Sequence, residues 1–308
     1  MFHTPGIIAL PRPLSHRMDS MASKLLQPPG MAVDFSQPIG EPALMPQTSL
    51  SWIIFKNPVS LFIGGVSAVI LEMAEPRVRD GVWDHSSFRT NAMTRLQRTG
   101  MAAMMTVYGP RSKAEAMISG VVRMHGSVNG RTSEGEAYEA NDRDLLDWVQ
   151  ATASFGFMEA YHAYVRPIDR RRRDLLFAEA KPAADRYGAV GAPARQDDLE
   201  VLFAAMRPRL VPSPIVFEFL EIMQAVPALP ALARPLQRTL VKAAVDILPD
   251  WLRVRLGLGT AWSLTPLERL IVKMAARAND KIILPSSPAV QSCRRLQLPD
   301  DYLYRRRA

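Results

Sequence analysis

From about Pro58 to Arg277 the apolar residues recur at spacings of three and four, and no stretch shows the two-residue alternation of a half-buried strand. Val59 to Met73 is apolar nearly all round, as a buried helix is, and Pro76 ends or kinks it. Between Asn91 and Tyr108 a stripe runs through Met93, Leu96, Gly100, Ala103, Met104 and Val107, and Gly109-Pro110 stops that helix. The next opens at Pro110 or Ser112 and reaches about Ser127, with Asn129-Gly130 punctuating its end. Asp142 or Asp144 caps a helix running to about Val165. A charged helix then covers about 168 to 187. After a break from Gly188 to Pro193, another runs from Asp197 to about Met206. Pro212 to Ala225, Pro230 to Leu248 and Pro266 to Asn279 follow, each opened by a proline near its first position. The pattern predicts an all-α fold, with one helical domain over residues 51–280. Residues 1–50 carry eight prolines and little periodicity, which predicts an irregular proline-rich N-terminal arm. Residues 281–308 read as a basic C-terminal tail.

Composition narrows the chemistry. With 308 residues, 48% hydrophobic and 22% charged, the chain is long enough for a sizeable core and too apolar for wholesale disorder. Sixteen methionines suit an adaptable apolar pocket. A single cysteine, Cys293, excludes an intramolecular disulfide framework, a multi-cysteine zinc site and a cysteine-ligated iron–sulfur cluster. Set in an arginine-flanked stretch, it has no catalytic role in this reading.

The net charge of +8 is local, concentrated in Arg170 to Arg173, Arg294, Arg295 and Arg305 to Arg307. No finger, RNP or GXXG motif accompanies these runs, so they read as solvated faces and no nucleic-acid partner is expected. The longest charge-free apolar stretch, Asn57 to Leu71, is broken by Gly64-Gly65 and is too short to span a bilayer. The first twenty residues lack the apolar core of a signal peptide. A cytoplasmic protein without a transmembrane segment is expected, and a homo-oligomer is left open.

Two constellations carry candidate chemistry. On the helix from Arg111, Ala114, Met117, Ile118, Val121, Val122, His125 and Val128 form one stripe, so an imidazole stands where an aliphatic side chain belongs. Its burial calls for a hydrogen bond or a metal, and a satisfied core histidine is the commoner outcome. On the preceding helix Arg95 and Thr99 share a face at i and i+4, with Arg98 beside them. The plain reading of Arg95 is an ion pair with Glu72, Glu75 or Asp84. His85, in a polar stretch, reads as a cap or surface residue.

These residues also occur in a telling order. An apolar helix ends in Glu75-Pro76, followed by Asp84-His85-Ser86 and Arg95-Leu96-Gln97-Arg98-Thr99. Then come His125-Gly126-Ser127-Val128-Asn129-Gly130, Tyr138-Glu139-Ala140, Leu146-Asp147-Trp148-Val149-Gln150-Ala151-Thr152 and Leu248-Pro249-Asp250-Trp251-Leu252-Arg253. Over about residues 55 to 260 the chain resembles the domain shared by the rubber-cleaving latex clearing proteins and the MpaB-type oxygenases (DUF2236). The resemblance implies a globin-like helical core around b-type haem, with His125 as the proximal iron ligand and Arg95 and Thr99 close to the haem. It implies a catalytic pair of Arg98, in the place of a lysine, and a distal glutamate base, matched by Glu75 with Glu72 as the other candidate. A guanidinium stays protonated and is a poor metal ligand, so Arg98 departs from the pattern. So does Gln150, which stands where many members carry histidine and cannot act as a base.

The expected function is a haem b-dependent oxygenase-like protein that takes dioxygen and an apolar, isoprenoid or lipid-like substrate. The alternative is a non-catalytic protein of the same fold that holds haem or a hydrophobic ligand.

Overall fold

The computed structural model describes residues 7–8, 19–20, 30, 33–229 and 234–305. Its helices are α1 (Leu50–Ile54), α2 (Pro58–Ala74), α3 (Pro76–His85), α4 (Ala92–Tyr108), α5 (Arg111–His125), α6 (Arg143–Tyr164) and α7 (Arg170–Arg186). They continue as α8 (Gln196–Met206), α9 (Pro214–Ala225), α10 (Arg234–Asp246), α11 (Asp250–Arg255), α12 (Pro266–Asn279), α13 (Pro288–Arg295) and α14 (Tyr302–Arg305). The fold is all-α.

Local chemistry sets the helix ends. Asn57 accepts hydrogen bonds from the amides of Val59 and Ser60, with Pro58 at the first helical position. Asn91 caps α4 through Thr94 N, and Asp142 caps α6 through Asp144 N. At the end of α7 the backbone turns through Gly188 at φ +89°, a left-handed conformation that glycine adopts without strain. Pro76 cannot continue α2, and α3 leaves at 110° to it.

The core is organised around α2 and α6, which cross with their backbones touching. A Cβ on Gly64 would lie 2.7 Å from Gly156 O, so only glycine allows this approach. Around this pair pack α3, α9, α10 and α12, while α7 covers α6 and carries α8. Leu71, Ile70, Trp148, Met158 and Tyr161 are fully enclosed there. A second core forms on α4, whose Met101, Met104, Met105 and Tyr108 meet α1, α5 and α13. Pocket-free packing is not uniform: α4's main helical neighbours are α1, α5 and α13, and α2 is not among them.

Three features depart from the sequence reading. A hairpin pairs β1 (Asn129–Arg131) with β2 (Ala137–Glu139). Strands of three residues are too short to show alternation, and Gly130 marks the place where the Tyr138 ring lies across the backbone. The expected basic tail is instead built in, because Ala289, Val290 and Cys293 share the buried face of α13. Arg295 is fully buried and donates to the carbonyls of Glu41, Phe35 and Tyr108 at 2.8, 2.6 and 2.6 Å. The irregular arm over residues 33–49 joins the same core through Phe35, Ala43, Leu44 and Met45. The rest of that arm and the expected helix start at Pro230 lie mostly or wholly outside the described residues.

Among the described residues no single helix is long and apolar enough to cross a membrane.

Candidate functional site

Although α2 is the central helix, Phe62, Gly65, Val69 and Glu72 are only half-buried, and their spacing puts them on one stripe. Val149, Ala153 and Phe157 form a matching half-buried stripe on α6. A Cβ built on Gly65 would meet only the Phe157 ring, at 3.9 Å, and one built on Gly100 of α4 would meet nothing within 4 Å. Side chains on the inner helices thus leave room that the chain itself does not fill.

Polar residues of α2, α4, α5 and α6 act on one another here, through one hydrogen bond and through the charge of Arg95. Thr152 Oγ1 on α6 shares its one proton between Val149 O at 2.8 Å and Glu72 Oε1 on α2 at 3.3 Å. Arg95 on α4 acts electrostatically on both Glu72 and His125, so α4 and α5 bring their charges to this point. Burial pushes the Glu72 carboxyl up to about 7, against the opposing effects of the Thr152 hydrogen bond and the Arg95 charge. For Arg95 burial lowers the pKa, Glu72 opposes that, and Arg98 adds to it. His125 is likewise lowered, first by burial and then by Arg95, which keeps the imidazole neutral at physiological pH. Its Nδ1 is buried without a hydrogen-bond partner.

The family relationship now has a site to attach to. Residues 52–278 match the family model described as ER-bound oxygenase mpaB/B′/rubber oxygenase, catalytic domain. The chain belongs to the mpaB/rubber oxygenase catalytic-domain family. No curated protein and no solved structure matches it. Membership makes the chain an oxygenase-type catalytic domain, and its helical architecture is that of an all-α member of the mpaB/rubber oxygenase family.

Of the residues singled out in the sequence, Arg95 acts electrostatically on Glu72 and, separately, on His125. Thr99 is exposed, and its hydroxyl donates to Arg95 O at 3.0 Å, so it props its own helix. Arg98 is exposed beside it. Glu75 lies elsewhere in function: its carboxylate accepts from Val78 N as the cap of α3 and pairs with Arg77 at 3.0 Å. Arg209 approaches the same carboxylate at 3.6 Å, so both of its oxygens already have partners. Glu72, one turn earlier, is the carboxyl facing the cluster. The Arg95 ion pair foreseen with a carboxylate exists as attraction to Glu72 across a gap, with no direct salt bridge.

Gln150 Nε2 donates to Ser154 Oγ at 3.4 Å, a contact within α6. His85 ends α3, its Nε2 3.2 Å from Tyr138 Oη. Thr152 is the participant that sequence reasoning missed. It stood inside a quoted motif, and only its position opposite Glu72 on the neighbouring helix reveals its part. An apolar pocket of about 490 Å³ lies apart from the cluster, lined by Phe155, Leu199, Phe203, Arg207 and Trp251, and His125 does not face it. Among the described residues no group of three or more His, Cys, Asp and Glu side chains converges on a metal position.

Proposed function

We propose that this protein is a haem-dependent oxygenase that holds b-type haem through His125 and acts on an apolar, isoprenoid-like or lipid-like substrate. The observation that carries the reading is the buried, unpartnered Nδ1 of His125, within electrostatic reach of Arg95. One histidine is enough for a haem site, because the macrocycle supplies the remaining equatorial ligands. Bound haem supplies the iron centre at which dioxygen is taken up and activated.

The chain's own residues do the rest. His125 needs no proton removed before it donates a lone pair to a metal, since burial and Arg95 hold it neutral. Arg95 is the cation suited to a carboxylate of the cofactor, and its half-buried position strengthens such a pair. Arg98, at the exposed edge, adds positive charge there. Phe62, Val69, Val149 and Phe157 give the apolar wall that an alkene would contact and from which water is excluded. Glu72 is the acid–base group: a carboxyl titrating near 7 holds or gives up a proton at working pH. Thr152 keeps one of its oxygens oriented through the hydrogen bond to Oε1.

The test is the visible spectrum of protein expressed with haem supply. Wild type is expected to show a Soret band that His125→Ala abolishes while the helical circular dichroism is kept. An unchanged band in that variant rejects His125 as ligand. Oxygen uptake with a polyisoprenoid alkene then separates the oxygenase from a haem carrier, the reading that Gln150, which cannot relay a proton, would favour.

A further inference from the structure

The outward face of α12 is apolar where solvent favours polar side chains. Leu267, Leu270, Ile271 and Met274 are 66%, 53%, 44% and 63% exposed, and their spacing puts all four on one stripe. The opposite face already anchors the helix. Val272 and Ala276 are buried, and Ala276 O accepts from Asn57 Nδ2 at 2.9 Å. Glu268 and Arg269 are tied to Lys242 and Asp246 on α10 at 2.9 and 2.7 Å. The stripe is therefore a second apolar face, beyond what the fold needs. A contiguous group of four large aliphatic side chains reaches the size at which exposed apolar surface marks an interaction site.

Charge indicates the occupant. Lys273 and Arg277 follow one edge of the stripe, one turn apart, and neither has an ion-pair partner among the described residues. Glu268 is the only carboxylate between Pro266 and Asn279, and it is spent on Lys242 and on capping Thr265. Pairing of two copies through this stripe would bring Lys273 and Arg277 of both together, with no acid on α12 to receive them. An anionic surface meets the same basic edge with attraction. A helix with an apolar stripe bordered by Lys and Arg is also the form that lies flat in a membrane interface.

We propose that α12 docks the protein on an anionic lipid bilayer. The Leu267, Leu270, Ile271 and Met274 side chains enter the acyl boundary, and Lys273 and Arg277 meet the headgroup phosphates and carboxylates. This inference stands independently of His125 and of haem.

Co-sedimentation of the full chain with vesicles tests it. Phosphatidylcholine vesicles carrying about 30 mol % phosphatidylserine are expected to bind the protein at least about fivefold better than phosphatidylcholine alone. Raising salt to about 0.5 M removes that preference. The double variant L270Q/M274Q is expected to lose at least about tenfold in partitioning to both vesicle types. K273Q/R277Q loses the anionic preference alone. Leu270 and Met274 are exposed, whereas Lys273 is half-buried and Arg277 Nε donates to Val165 O at 3.3 Å, so circular dichroism and the urea midpoint of each variant, matched to wild type, certify the fold before its binding is read. Absence of binding to the anionic vesicles overturns the proposal, as does wild-type binding by folded L270Q/M274Q. A dimer in sedimentation equilibrium that L270Q/M274Q converts to monomer, without vesicle binding by either form, assigns the stripe to a second copy and also overturns it.

Discussion

Replacing Glu72 by glutamine removes one ionisable proton from the cluster while keeping the side chain's length and its acceptor for Thr152. In the folded protein the Glu72 carboxyl is pushed up from an ordinary 4.5 to about 7, chiefly by burial. Between these values the folded state holds a proton that the unfolded chain has released. Stability therefore falls as pH rises through this window, and the cost is complete above about pH 7. The gap between 4.5 and about 7 corresponds to at most about 3 kcal/mol. Because Glu72 keeps some contact with solvent, about 1–2 kcal/mol is expected after screening. The glutamine variant carries no such cost, so it should be more stable than wild type in alkali and nearly equal to it in mild acid. Urea unfolding of the haem-free protein at about pH 5 and about pH 8.5 measures the difference. Equal differences at the two pH values would refute the assignment of a raised carboxyl. So would a variant less stable than wild type in alkali, which would mean that ionised Glu72 is held favourably by Arg95.

Three further outcomes follow from packing and burial. Gly64→Ala places a methyl 2.7 Å from Gly156 O and 2.8 Å from Phe157 Cα, backbone atoms that cannot swing aside. It should cost about 3 kcal/mol, read as a lowered urea midpoint, and a neutral result would mean the helices slide apart freely. Arg295→Met leaves the carbonyls of Glu41 and Phe35 without their donor and that of Tyr108 with Ser292 Oγ alone. At least about 3 kcal/mol should be lost, and Arg295→Lys should recover little, since an ammonium lacks the planar fork. Cys293 is fully buried and its thiol is pushed up to about 12, so a thiol reagent should label it only after denaturation. Labelling of the native protein at the rate of a free thiol would contradict this.

The helices were legible because their ends are written in side chains. Asn57, Asn91 and Asp142 cap where the pattern placed starts, and Pro58, Pro214 and Pro266 stand at first positions. The hairpin escaped notice because three residues per strand carry no period. The C-terminal segment was misread because arginine counts as polar in any pattern, whereas Arg295 is buried by carbonyls that come from Phe35, Glu41 and Tyr108, far away in sequence. At the cluster, the stripe on α5 drew attention to His125, although only Ala114 and Ile118 of that helix are fully buried, and Arg95 stood out by type and spacing. That Glu75 caps a helix while Glu72 faces Arg95 was beyond the sequence. The two differ by three residues, and what separates them is that the chain bends at Pro76, turning Glu75 into a cap while Glu72 stays on the face toward Arg95. Thr152 was equally hidden, since its relation to Glu72 exists only where two helices cross.

The grip of the C-terminal segment on α4 bears on how the protein is made. The carbonyl of Tyr108, last residue of the helix that carries Arg95, is held by Ser292 and Arg295, partners 184 and 187 positions later. During vectorial synthesis α4 emerges long before either partner has left the ribosome. A nascent chain can wind that helix early, yet it cannot fasten it until translation has passed α13. The Arg95 wall is thus among the last parts to set, and truncation just before Pro288 is expected to yield a soluble helical chain with a slack, cofactor-poor site. That defect would appear in a pulse-chase as delayed protease resistance of the α4 region, even where the crossing of α2 and α6 has already matured.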